Sequence, residues 1–175
     1  MAQRVLVLGG VRSGKSRWAE TLVVAGPPVT YLATAQPGDD EMARRIARHR
    51  QRRPQDWRTI EEPWTIAPIV AAHGSGSLIL ECLGLWLTNL LVGLPGRTPL
   101  TDDEARQAVA ELGQAVKEAA GRIVAVSNET GCGIMPMNAL ARRFGDLLGE
   151  ANQALAAAAD EVWWCTAGIP QRIKG

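Results

Sequence analysis

The octet Gly9-Gly10-Val11-Arg12-Ser13-Gly14-Lys15-Ser16 matches the spacing G-x-x-x-x-G-K-[ST] and constrains this chain more than any other stretch. It stands between the apolar run Arg4 to Leu8, which reads as a strand, and the segment Lys15 to Val24, which reads as a helix. In that setting the glycines let the backbone curl until successive N–H groups face phosphate oxygens, and the start of the helix adds its partial positive charge. Lys15 would then reach the β- and γ-phosphates of a nucleoside triphosphate, and Ser16 would ligate Mg2+. The alternative is a glycine-rich turn with a surface lysine, which needs neither the strand before it nor the helix after it.

Beyond this loop, short apolar runs alternate with longer helical patterns. Val29 to Ala33, Ser77 to Cys82, Arg122 to Ser127 and Glu161 to Thr166 read as strands, with a weaker one near Trp57 to Pro63. Helices are expected over Asp40 to Arg52, over Asp102 to Ala119, where Thr101 and Glu104 have capping-box spacing, and over Asn138 to Ala159. The alternation predicts an α/β fold, a mostly parallel central sheet flanked by helices. The linker-like stretch Pro95 to Asp103 is too short to separate domains, so residues 1–175 are expected to form one domain.

Cys82, Cys132 and Cys165 are odd in number and far apart, which argues against a disulfide framework or a zinc site and for reduced, buried thiols. The longest apolar stretch, from Leu78, is broken by Glu81, Thr88 and Asn89, so no membrane span is expected. The first residues pass directly into a strand without a signal-peptide pattern, and the expected location is cytoplasmic.

Charge is concentrated in one place. The formal net charge is +1, yet Glu41 to Arg53 holds six arginines against one acid, or +5, leaving −4 for the remainder. On a helix, Met42, Ile46, His49 and Arg53 share one face, while Arg44, Arg45, Arg48 and Arg52 occupy the adjacent polar side. His49 therefore points towards the protein body. No aromatic residue accompanies these arginines on the helix, which weakens a nucleic-acid role. A packed core histidine, a solvated basic helix and a phosphate-handling nucleophile all remain open on this segment alone. Neutral imidazole can attack phosphorus, and nearby cations favour that neutral form.

Two further positions carry chemistry. Glu81 follows Leu78-Ile79-Leu80 at a strand end, where it is either the acidic partner of a nucleotide-bound metal or an acid simply exposed to water. The segment Ser127 to Pro136, "SNETGCGIMP", leaves another strand and reads either as a substrate loop or as a turn shaped by Gly131 and Gly133. Among the six tryptophans, Trp86, Trp163 and Trp164 are expected in the core or at a subunit contact.

Together "GGVRSGKS", "YLATAQPGDDEMARRIARHRQRRPQDWRTIEEP", "LILECLGLWLTNLL" and "VSNETGCGIMPMNALARRFGDLLGEANQALAAAADEVWWCTAGIP" resemble the bifunctional adenosylcobinamide kinase / adenosylcobinamide-phosphate guanylyltransferase family of cobalamin biosynthesis, over nearly the whole chain. The resemblance implies a recombinase-like P-loop NTPase fold and a homotrimer with sites near subunit boundaries. It implies two reactions, with ATP and GTP as substrates, Mg2+ as cofactor, and adenosylcobinamide and its phosphate as small-molecule partners. In the first, a γ-phosphoryl group passes to the hydroxyl of the corrinoid's aminopropanol arm. In the second, GTP guanylylates a histidine and GMP moves on to the new phosphate, giving adenosylcobinamide-GDP and pyrophosphate.

Carried onto this sequence, the guanylylated histidine is His49, with Lys15 as the other catalytic residue. The nucleotide-binding positions are Gly9, Gly10, Val11, Arg12, Ser13, Gly14, Lys15, Ser16, Thr34, Ala35, Gln36, Arg50, Gln51, Arg52, Arg53, Glu61 and Glu81, and the metal ligands are Ser16 and Glu81. Some relatives have a second histidine just before this one; here the position is Arg48. A kinase without guanylyl transfer and a basic nucleic-acid-binding ATPase are the competing readings. The first would leave His49 unlabelled by GTP, and the second would show salt-sensitive oligonucleotide affinity.

Overall fold

The computed structural model describes residues 3–23 and 28–175. Their order is β1 (Arg4–Gly9), α1 (Lys15–Thr21), β2 (Val29–Ala33), α2 (Asp40–Arg52), β3 (Arg58–Glu61), α3 (Ala67–Ala71), β4 (Ser77–Glu81), α4 (Leu83–Val92), α5 (Asp102–Glu118), β5 (Arg122–Asn128), α6 (Ala139–Ala158), β6 (Glu161–Thr166) and β7 (Ile169–Lys174). The first helix closes at Thr21, sooner than the sequence pattern suggests, and Val24 lies outside the described residues.

The strands form one seven-stranded sheet in the order β3-β2-β4-β5-β1-β6-β7. Every pairing is parallel except β6 with β7. Side chains alternate across this sheet, as pleating demands. Leu6, Leu8, Leu78, Leu80, Ile123 and Ala125 face a layer built from α3, α4, α5 and α6. Val5, Val7, Ile79, Val124 and Val126 face the opposite side, where Ala19 and Val23 cover them. The expected α/β fold, a mostly parallel sheet flanked by helices with the phosphate loop between β1 and α1, is the one observed.

Several local expectations hold in detail. Thr101 and Glu104 form the reciprocal capping box of α5, Asn138 caps α6, and Trp86 is buried in the core. The weak strand near Trp57 forms as β3 and pairs with β2. Three elements escaped the sequence reading. Apolar residues surround α4 on nearly all sides, with Leu83, Trp86, Leu87, Leu90 and Leu91 buried, so it shows no amphipathic stripe. α3 is a single short turn of helix. β7 follows a two-residue turn of Ala167 and Gly168, both at positive φ (52° and 82°), and alanine at the first position conceals the hairpin signal.

The cysteine expectation needs one correction. Cys82 and Cys165 are buried, but Cys132 is exposed, because it lies in the irregular, solvent-facing stretch 129–138, which is exposed along most of its length. Among the described residues no helix is long and apolar enough to cross a membrane.

Candidate active site

Because the sheet is parallel, the loops after β1, β2, β4 and β5 gather at one edge, where open α/β sheets bind ligands. After β1 the chain turns through Arg12 at φ 57° and Gly14 at φ 94°, and Gly14 then begins α1 without a side-chain cap. The amides at this helix start are thus left for a ligand. Lys15 is nearly buried beneath the loop, its Nζ donating to the Gly10 carbonyl at 3.1 Å. Burial pushes its pKa down, and the neighbouring Glu81 is among the groups opposing that shift. The β6–β7 turn braces the loop from outside: the Gly168 N–H donates to the Ser13 carbonyl at 2.9 Å. A Cβ added at Gly14 would stand 3.0 Å from the Gly168 Cα, so glycine is needed there for space as well as for its φ.

Glu81, the last residue of β4, is the hub. One carboxylate oxygen accepts from the Ser16 hydroxyl, and the other accepts from the Tyr31 hydroxyl at 2.6 Å. Burial holds the Tyr31 pKa well above its ordinary value, and Glu81 adds to the shift, so this phenol stays a donor. The Arg53 guanidinium lies 3.4 Å over the Tyr31 ring, and Trp57 stacks near it with ring centroids 6.5 Å apart.

His49 approaches the same carboxylate, with its Nδ1 3.9 Å from Glu81 Oε1. Met42, Ile46, His49 and Arg53 are the partly buried residues of the helix stretch, the face expected from the sequence. Burial lowers the His49 pKa; Arg52, Arg45 and Arg53 lower it further, while Glu81 opposes them. The imidazole is therefore kept neutral and nucleophilic near neutral pH. The buried Cys82 thiol next to Glu81 is pushed up to about 11, which leaves it inert by comparison.

Two adjoining clefts share Lys15, Ser16, Arg45 and His49. The first also collects Val11, Ala35, Arg50, Arg53, Glu61 and Glu81; the second collects Arg12, Ser13, Gly14, Gln51 and Arg52. Most of the sequence-derived site residues thus meet on the two sides of His49. Within that set Arg50 pairs with Glu61, and Arg52 reaches Glu20 at 3.4 Å. Gly9, Gly10, Thr34 and Gln36 line neither cleft. The buried Thr34 hydroxyl donates to the Cys82 carbonyl at 2.8 Å and accepts from its N–H at 2.9 Å, which fixes the turn from β4 into α4. Gln36 is exposed in the stretch after β2. Sequence reasoning missed Tyr31 as a lining residue and noted Arg45 and Asn128 only as members of the basic helix and of the segment Ser127 to Pro136. The signal for Tyr31 was present, since it is the sole tyrosine and sits in a buried strand.

The Ser16 hydroxyl and the Glu81 carboxylate form an oxygen-only donor pair that suits Mg2+, which takes one or two protein oxygens and completes its shell with phosphates and water. Among the described residues no group of three or more His, Cys, Asp or Glu could hold a metal ion, so a cation here would depend on nucleotide oxygens.

Comparison with known proteins adds four findings. The family model described as "Cobinamide kinase / cobinamide phosphate guanyltransferase" matches residues 5–173. The bifunctional adenosylcobalamin biosynthesis protein CobP of Pseudomonas aeruginosa is 47% identical, with 98% of each chain covered. The bifunctional adenosylcobalamin biosynthesis protein CobU of Salmonella typhimurium is 43% identical over 97% of this chain and 99% of its own. Among solved structures, the P4 protein from bacteriophage phi6 in complex with ADP aligns at a TM-score of 0.49 and 12% identity, covering 97% of this chain and 54% of that one.

Proposed function

Because this chain belongs to the cobinamide kinase / cobinamide phosphate guanyltransferase family, we propose that its paired clefts serve both reactions of that family within one domain, residues 1–175. The chain is a bifunctional transferase of cobalamin biosynthesis, which phosphorylates adenosylcobinamide and guanylylates the product. The observation that carries the assignment of roles is the convergence of Lys15, Ser16, Glu81 and His49 on one cleft edge.

In the kinase reaction the loop Gly9 to Ser16 cradles the triphosphate and Lys15 neutralises its β- and γ-oxygens. The corrinoid hydroxyl attacks the γ-phosphorus and the nucleoside diphosphate leaves. In the second reaction His49 attacks the α-phosphorus of GTP, forming a P–N bond as pyrophosphate departs. A phosphate oxygen of adenosylcobinamide phosphate then attacks that phosphorus, the P–N bond breaks, and His49 is regenerated with adenosylcobinamide-GDP as product. Arg45, Arg50, Arg52 and Arg53 surround the developing charge. Ser16 and Glu81 would hold Mg2+, which supplies charge neutralisation at the phosphates when bound.

Arg50 and Glu61 on this reading bind nucleotide by exchanging their mutual pair for ligand contacts. Thr34 and Gln36 act through backbone placement of Ala35 rather than through their side chains. A homotrimer, a cytoplasmic location and the absence of a nucleic-acid partner complete the proposal, and the lack of aromatic residues on α2 supports the last of these.

The test is labelling with α- and γ-labelled GTP in Mg2+, with His49→Ala in parallel. Wild type is expected to retain acid-labile, base-stable label from α-labelled GTP alone. The variant should retain none while still passing γ-label to cobinamide. Label that persists on His49→Ala, or none on wild type, would sink the nucleophile assignment.

A further inference from the structure

We propose that the apolar loop leaving β5, with Ile134, Met135 and Met137 at its surface, is the platform on which the corrinoid macrocycle rests while its hydroxyl arm enters the nucleotide cleft. This inference rests on the functional reading above. Ile134 is 97% exposed, Met135 67% and Met137 98%. The loop begins where the cleft ends: Asn128, the last residue of β5, lines the cleft, and the Glu129 N–H donates to the Gly9 carbonyl at 3.2 Å, beside the phosphate loop. It finishes at Asn138, the cap of α6. Because β5 and β6 both run parallel to β1, α6 must carry the chain back to the opposite edge of the sheet, so its start lies at the same edge as the cleft.

The loop is held in shape by polar contacts. Glu129 closes its first turn, one carboxylate oxygen accepting from the Gly131 N–H at 2.6 Å. Arg142, near the start of α6, donates through Nη1 to the carbonyls of Pro136 at 3.0 Å and Met137 at 2.6 Å. Asn138 Oδ1 accepts from the Ala141 N–H at 3.0 Å. These contacts fix a backbone whose apolar side chains stand in water instead of folding onto the core, an arrangement that is unfavourable until something covers them.

Size and chemistry select the occupant. The cleft already has to hold a nucleotide among Lys15, Ser16, Glu81 and His49, and a corrinoid is larger than a nucleotide. Only its hydroxyl arm can enter, which leaves the macrocycle on the rim. On the α2 side the rim presents Arg44, Arg45, Arg48 and Arg52, all exposed, a surface suited to phosphate and not to the methyl-bearing faces of a corrin ring. On the other side stand the loop and, at the tip of the phosphate loop, Val11, which is 75% exposed. Methionine is unbranched and polarisable, and it adapts to an irregular apolar face. The other large apolar side chains exposed among the described residues lie elsewhere, apart from Leu140 at the start of α6: Val92 ends α4, and Ile169 and Ile173 are on the edge strand β7.

The test combines Ile134→Ser, Met135→Ser and Met137→Ser in the full chain, substitutions at solvent-facing positions that leave the core intact. The KM for adenosylcobinamide is expected to rise at least about tenfold, while the KM for the nucleotide stays within about twofold. GMP labelling of His49, which needs no corrinoid, should be unchanged, and so should the mass by light scattering. A corrinoid lacking the aminopropanol arm should compete with substrate on wild type and do so about tenfold more weakly on the variant. An unchanged KM for the corrinoid would overturn the proposal, as would labelling that falls in step with it. A lower mass for the variant would overturn it too, by assigning the loop to a contact between copies of this chain. Equilibrium dialysis of the coloured corrinoid separates the two levels of the reading. If wild type binds the corrinoid but does not phosphorylate it, the kinase assignment fails, and the ratio of wild-type to variant affinity still judges the loop; if wild type binds none, both fail.

Discussion

At the scale of single residues the site is organised around one carboxylate. Glu81 touches the phosphate-loop serine, the only tyrosine and, at 3.9 Å, the histidine proposed as nucleophile, so three elements report to one side chain. The downward shift of His49 has a kinetic consequence. Protonated imidazole cannot attack, and the neutral fraction rises with pH through the pKa. Burial and three arginines place that pKa below the ordinary 6.5, against the pull of Glu81. The kcat/KM for GMP labelling, which reports the free enzyme, should therefore reach half its plateau below pH 6.5 and level off at higher pH. A midpoint at or above 6.5 would show that Glu81 outweighs the arginines and burial. Lys15 was legible in the sequence from the phosphate-loop spacing, whereas His49 and Glu81 stood beside structural alternatives until the family resemblance singled them out. Asn128 lay within the flagged segment Ser127 to Pro136, but its place beside Gly9 comes from a register between residues more than a hundred positions apart.

Among the elements, α2 and α5 form a contrast. α5 buries Ala105, Val109, Leu112, Gly113, Ala115 and Val116 and begins with a capping box. α2 buries no residue; Asp39 caps it, and it is attached by the pairs Arg50–Glu61 and Arg52–Glu20 and by Arg53 over Tyr31. Exposed pairs of this kind contribute about 0–1 kcal/mol each, so α2 should open locally without the rest of the sheet. Hydrogen exchange should be more than about tenfold faster in α2 than in α5, and GTP with Mg2+ should slow it in α2 alone. Equal protection in both helices would sink this view. The amphipathic α5 and α6 were readable from their periodicity. α4 and β7 were not, one because it is apolar all round and the other because its turn lacks the usual residues.

At the scale of the molecule, the parallel sheet and the layer of helices over one face follow from the strand and helix alternation alone. Among the described residues the other face packs against α1, Leu22, Val23 and Trp57, and β7 leaves an outer edge with Ile169 and Ile173 exposed. Exposed apolar side chains on an edge strand favour association between chains. Light scattering coupled to gel filtration should accordingly give a mass of about three times 18.8 kDa, in line with the family resemblance. A mass of one chain would exclude the trimer. The long reach of the sheet also bears on synthesis. β1 precedes its sheet neighbours β5 and β6 by more than a hundred residues, and the turn bracing the phosphate loop lies at residue 168. Until those residues emerge, a growing chain displays the complete Gly9 to Ser16 motif with nothing to hold its shape. Nucleotide capture is thereby deferred until β5, β6 and the turn at residue 168 have been made, and a product interrupted before them carries the motif without the means to use it.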